Sequence, residues 1–164
     1  MHKIAAIAIS AAAVFLAAAP ALADDPVPQG PDADTLNLGA SWDVLCSSPG
    51  DSSYKFSIFY NSGPSGAWRN IGYSVYDFDA LRPGDGHSHP LRFCSGGASS
   101  PPKGSGERIK NNAAAAENSH YKYWSRVYYN SGYKGNQDAL APYQSTGQFR
   151  KVYNENASFQ WTYN

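Results

Sequence analysis

An all-β fold is predicted by three features of the sequence: many β-favouring aromatic side chains, abundant turn formers, and an internal repeat built around a glycine-rich turn. The chain of 164 residues carries 12 Tyr, 4 Trp and 7 Phe beside 15 Gly and 11 Pro, with a single Met. Aromatic rings suit a pleated, half-buried surface, and Gly, Pro, Asn and Ser suit the turns between strands. Few residues remain to build long amphipathic helices.

Residues 1–23 read as a secretory signal, with Lys3 at the start, an apolar stretch over 4–19, and Ala21-Leu22-Ala23 as the cleavage site. Its apolar stretch is shorter than the roughly 20 residues a spanning helix needs, and no later segment is a candidate. Residues 24–39 hold Pro26, Pro28, Pro31 and several Asp, and are expected to form a flexible leader. One folded domain is expected over 40–164, opening with a strand in which Trp42, Val44 and Cys46 alternate with polar residues.

With Lys3 removed, 12 basic side chains face 13 acidic ones and no run of like charge appears, which argues against nucleic acid as a partner. Export to an oxidising compartment leaves Cys46 and Cys94 with one intramolecular pairing, and a disulfide is expected between them.

The repeat appears when the chain is laid on itself. Tyr60-Asn61-Ser62-Gly63 with Gly66 recurs as Tyr129-Asn130-Ser131-Gly132 with Gly135, an offset of 69. Asp79-Ala80-Leu81-Arg82-Pro83 matches Asp138-Ala139-Leu140-Ala141-Pro142 at offset 59, and Ile109-Lys110-Asn111-Asn112 matches Val152-Tyr153-Asn154-Glu155 at offset 43. On these anchors the first copy carries insertions of 10 and 16 residues, the second falling on the Gly/Ser/Pro stretch 95–106, which reads as an exposed loop. Each repeated turn is expected to be a hairpin folded over its sheet, with the Tyr ring packed under its Gly.

These residues resemble the βγ-crystallin superfamily, whose repeat is a four-stranded Greek key with a folded hairpin of the form Tyr-x-x-x-aromatic-x-Gly. Tyr129 to Gly135, with Tyr133 at the aromatic position, fits that form, whereas the first copy has Pro64 there. The resemblance covers the chain from about Ser53 onward and implies a sandwich of two Greek-key motifs, about 53–118 and 121–164. The overall look is similar to secreted bacterial crystallin-like proteins of a metalloproteinase-inhibitor family, which implies peptidase inhibition. The superfamily also has a calcium signature, Asn/Asp-Asn/Asp-x-x-Ser/Thr-Ser. Asn111-Asn112 with Ala115 and Ala116, and Asn154-Glu155 with Ser158 and Phe159, resemble it in degenerate form, so any calcium site is expected to be weak and no cofactor is required.

No sequence signature of catalysis is present, with no GxSxG elbow, HExxH helix or phosphate-binding loop. Asp77 and Asp79 alternate on one strand face and read as a solvent-facing edge, not as a catalytic carboxylate pair, and Asp85 with His87 and His89 is too small a set for zinc without a further ligand such as Glu107 or His120. The chain is therefore read as a secreted, monomeric, non-enzymatic binding protein. Two kinds of partner fit this reading. One is an extracellular protease, bound through the loop 91–106 with Cys94 as anchor and Pro101, Pro102 and Lys103 at its centre. The other is a cell-surface polysaccharide, bound through an exposed ring, with Trp68 favoured over Trp42, Trp124 and Trp161.

Overall fold

The computed structural model describes residues 30–95 and 99–163. The expected signal, and the part of the leader before residue 30, lie outside the described residues. Among the described residues no helix is long and apolar enough to cross a membrane. Two short helices, α1 (Pro31–Gly39) and α2 (Trp42–Leu45), precede seven strands. The strands are β1 (Phe56–Asn61), β2 (Ser65–Ile71), β3 (Ala115–Asn118), β4 (Trp124–Asn130), β5 (Lys134–Leu140), β6 (Ser145–Thr146) and β7 (Ser158–Thr162). They form two antiparallel sheets with strand orders β2-β1-β3-β6 and β5-β4-β7.

The repeat is real at the level of register. In the first hairpin Phe56 pairs with Ile71 and, after a bulge, Asn61 pairs with Ser65. In the second, Ser125 pairs with Leu140 and Asn130 with Lys134, the same pattern displaced by 69. The closing strands keep the 43-residue offset, since Phe59 faces Ala115 in one motif and Tyr128 faces Ser158 in the other. Each motif sends its third strand to the other sheet: Thr146 pairs with Ala116, and Val75 bridges Phe159. That exchange makes two interlocked Greek keys around one core.

The middle anchor of the repeat is overturned. Asp138, Ala139 and Leu140 lie within β5 opposite Val127, Arg126 and Ser125, the places held by Arg69, Asn70 and Ile71 in β2. Asp79 to Pro83 therefore have no counterpart, and the first motif carries one long insertion instead of two. The Phe78 N–H bonds Ala157 O as the Phe149 N–H bonds Ala114 O, so the motifs coincide up to those phenylalanines. After them Val152 follows within three residues, whereas Ile109 is 31 residues away. A five-residue likeness in side chains misled where pairing decides equivalence.

The core joins both motifs. Phe56 stacks on Phe159 with ring centroids 4.2 Å apart, and Trp161 meets Phe159 edge-on at 5.1 Å. Leu81, Leu91 and Phe93 of the insertion are buried in the same cluster, so this segment adds its own apolar side chains to the core.

Two expectations for the start of the chain are corrected. From Pro31 the leader is helical and docked. Pro31 opens α1 with its fixed φ, and Asp32 and Asp34 favour the first turn. A nine-residue helix is marginal alone, and this one is held by a polar anchor that apolar periodicity does not reveal. Asn37 is buried, accepts the Gly72 and Tyr73 N–H groups at 3.2 and 3.1 Å, and donates to Tyr73 O at 3.0 Å. The expected strand at 42–46 is instead α2, whose Leu45 packs with Cys46 and Cys94 in a small separate cluster. The Cys46–Cys94 disulfide is formed, so it ties the insertion to a helix end and not to a strand.

Candidate functional site

The expected binding loop is fastened on both sides. On one side the disulfide holds Cys94, whose N–H also donates to Trp68 O at 2.9 Å on the edge of β2. On the other, the Lys103 carbonyl accepts the Ala67 N–H at 2.9 Å, and Gly104 lies against the Tyr60 ring where an added Cβ would overlap it. Gly104 has φ +89°, a conformation glycine adopts without steric penalty. Ser105 donates from its N–H and its Oγ to Pro102 O, and the Glu107 N–H donates to Gly104 O, so 102–107 is a run of tight turns. Ser99, Ser100, Pro101, Pro102 and the Lys103 side chain stand exposed ahead of these turns and at their start.

The hairpin residues have different tasks from those expected. Tyr60 covers Gly104 of the insertion and meets Phe93 edge-on at 5.6 Å. In both hairpins the second glycine, Gly66 or Gly135, faces a side-chain amide, from Asn61 or Asn130. Gly132 is approached by Tyr76, while Tyr129 is partly exposed. The Gly63 N–H donates to Gly147 O and the Gly132 N–H to Tyr76 O, so each hairpin is latched by the other motif's third strand or its flank. Tyr133 sits at φ +59°, a conformation closed to Pro64 at the matching position, so the two tips differ in backbone as well as side chain.

Of the five candidate calcium ligands, the structure gathers three. The two Asn loops exchange hydrogen bonds, Asn111 N–H to Asn156 O at 2.8 Å and Asn154 N–H to Ala113 O at 3.0 Å. This brings Asn111, Asn154 and Glu155 to one cavity of about 420 Å³. Ser158 is committed elsewhere, donating to Asn130 O at 2.7 Å and accepting the Tyr133 N–H, and Asn112 Nδ2 donates to Arg108 O. The same cavity is lined by Lys110, whose ammonium lies 2.9 Å from Asp77 Oδ1. The lining offers one carboxylate, from Glu155, with the amides of Asn111, Asn130 and Asn154. Its Ser131 hydroxyl already accepts from the Lys110 ammonium, a cation that disfavours a second one beside it, and the set is a poor match to the six to eight oxygens calcium takes.

The remaining polar candidates are structural. Asp77 binds Lys110, and although burial pushes its pKa up, the bonds from Lys110, Asp79 N–H and Ser131 hold it below the usual carboxylate range. Asp79 faces Arg108 at 3.7 Å. Asp85 accepts the His87 N–H and lies 2.6 Å from His89 Nε2, closing an exposed turn. Among the described residues no group of three or more His, Cys, Asp or Glu is placed to hold a metal ion.

The other end of β1 and β2 carries a cleft that no sequence motif marks. Its volume is about 760 Å³, and its rings are Tyr54, Tyr73, His120, Tyr121, Tyr143 and Trp161. Trp161 anchors the floor, its Nε1–H donating to Gly72 O at 2.9 Å. His120 Nδ1 accepts the backbone N–H groups of Lys122 and Tyr123 at 2.9 and 3.0 Å, so the neutral ring carries its proton on Nε2. Burial, helped by the nearby Lys55 charge, lowers the His120 pKa and favours that neutral form. Trp68, the ring expected to be exposed, is half-buried in β2 and donates to Ser47 O, while Trp42 is 54% exposed.

No family model matches the chain, and no curated protein matches it. Among solved structures it is similar to one described as "Evolution of the eye lens beta-gamma-crystallin domain fold", at 9% identity and a TM-score of 0.44, over 68% of this chain and 87% of that one. It is also similar to a beta gamma crystallin from Ciona Intestinalis, at 14% identity and a TM-score of 0.43, over 66% of this chain and 99% of that one. The two-motif architecture described above rests on the strand registers themselves.

Proposed function

We propose that this chain is an extracellular, non-enzymatic binding protein of the βγ-crystallin type, and that it inhibits a protease through residues 99–103. One observation carries the reading: the exposed residues 99–103 run into a fixed end at the Lys103 carbonyl and the Gly104–Tyr60 contact, and the Cys46–Cys94 disulfide holds the chain at Cys94. A protease cleaves a chain that can adapt to its cleft. It is blocked by one already held in shape, because less conformational freedom is lost on docking and the cut ends stay in place. Pro101 and Pro102 fix φ ahead of Lys103, whose long side chain extends from a residue with its carbonyl bonded to the Ala67 N–H. The disulfide itself fits an oxidising compartment.

The test titrates the full secreted chain against a panel of metallo- and serine proteases. Inhibition of at least one member is expected, weakened about tenfold or more by Lys103→Ala or by Pro101→Gly with Pro102→Gly. Absence of inhibition across the panel, or inhibition that both variants retain in full, refutes the reading.

A further inference from the structure

We propose that the aromatic cleft between the two motifs binds a neutral oligosaccharide, with sugar rings stacked on Tyr121 and Tyr143. This site is independent of residues 99–103. The cleft opens where β1 and β2 end at Phe56 and Ile71, whereas the inhibitory segment lies at their hairpin end beside Gly66 and Tyr60. A six-residue strand separates them by about 20 Å.

The lining identifies the ligand class. Apart from the six rings, the wall is made of Gly50, Ser53, Lys55, Gly72 and Ser119, so no aliphatic side chain lines it. A lipid or an apolar peptide anchor would find no aliphatic surface there. A pyranose offers flat C–H faces to ring faces and hydroxyls to the polar edges between them, which suits Tyr and Trp with their apolar bodies and polar tips. Lys55 is the single full charge, and its ammonium is already bonded to Gly50 O at 2.9 Å. With no arginine in the wall and a neutral His120, the lining favours an uncharged sugar over an acidic one.

Two features show that the cleft is built in advance. Tyr121 and Tyr143 are 70% and 74% exposed, yet the segments that carry them are fixed by one buried side chain, Asn118. Its Nδ2 donates to Tyr123 O, Leu140 O and Ala141 O at 2.9 to 3.1 Å, and its Oδ1 accepts the His120 N–H at 2.9 Å. Tyr143 is also held at φ +59°, an unfavourable conformation for an aromatic residue that the surrounding bonds of Ala141 and Gln144 maintain. A volume of about 760 Å³ lies within the range of small-ligand sites, and exceeds what one sugar ring would fill.

The experiment titrates the full chain, by calorimetry, with hexasaccharides of glucose, N-acetylglucosamine and mannose and with a hexauronate of equal length. At least one neutral sugar is expected to bind with a dissociation constant of roughly 10–1000 μM. The double variant Tyr121→Ala with Tyr143→Ala should weaken binding about tenfold or more, with an unchanged circular-dichroism spectrum, because both rings are exposed. Lys103→Ala should leave it unchanged. The proposal fails if no neutral sugar binds by about 10 mM, if the hexauronate alone binds, or if the double variant binds as well as the parent.

Discussion

The two motifs share one strand register and differ in how they close. Motif two passes from Phe149 to Val152 in a three-residue turn, and its outer strand β5 is left with Lys134, Gly135 and Asn136 exposed. Motif one takes 31 residues from Phe78 to Ile109 and covers its outer strand β2 with that insertion and with α2. An open sheet edge invites pairing with other chains unless it is charged or covered, and the motifs use one device each. An added segment that covers an edge needs its own anchorage. Motif one has it in Leu81, Leu91 and Phe93, in a disulfide, and in a tyrosine seated on a glycine.

The sharpest way to break this difference is to cut the covalent tie. Cys46→Ser with Cys94→Ser should cost about 2–5 kcal/mol in urea unfolding, with amide protection lost across β2 before β4 and β5. Equal loss of protection in both motifs would show that the insertion does not stabilise motif one selectively. Next comes the seat of Tyr60. Gly104→Ala combines a positive φ with overlap on the ring and should cost about 3 kcal/mol, whereas Gly106→Ala, at φ +75° with open space around it, should cost about 1 kcal/mol. Similar values for the two would mean that the ring does not rest on Gly104.

The docked leader is the third point of contrast, since among the described residues motif two has no counterpart to α1. Asn37→Ala leaves two backbone N–H groups without their acceptor and should cost about 1–3 kcal/mol, read by thermal melting and by hydrogen exchange at Gly72 and Tyr73. A smaller effect is expected from pH at the junction between motifs. The folded pKa of His120 is lowered, chiefly by burial, so between that value and the ordinary 6.5 the unfolded chain binds more protons. Stability should therefore fall as pH drops below 6.5, with a shallower fall in His120→Gln; an equal slope in the variant would assign the effect to other groups. Least of all is calcium. With Glu155 the one carboxylate lining that cavity and Lys110 beside it, 1 mM calcium should shift the melting temperature by less than about 2 °C. A larger shift, abolished by Glu155→Gln, would establish a functional site there.

The parts of the fold legible in the sequence were those held by short-range chemistry. The turn at Asn61 and its copy at Asn130 carry the same residues because the same bulged hairpin needs them. Asn111 and Asn154, 43 residues apart, are the same residue because both positions take positive φ, which Asn tolerates better than most residues. Cys94 had one possible partner. The helix in the leader is not legible in the sequence because α1 is held by the buried amide of Asn37, which hydropathy registers as a polar, solvent-facing residue. The segment 42–46 is ambiguous in the sequence because the pattern of five residues suits a strand or one helical turn equally well.

By itself, then, the sequence determined the class, the doubled hairpin and the disulfide, each the consequence of local conformation or of a two-member set. Tertiary structure alone decided that the insertion is single, that Tyr60 seats on Gly104 and not on its own turn, and that the cleft exists at all. That cleft draws Tyr54, Tyr73, His120, Tyr121, Tyr143 and Trp161 from segments scattered over more than 100 positions. Their meeting follows from the exchange of third strands between the sheets, which rests on backbone hydrogen bonds that any side chain can accompany and that no motif therefore records.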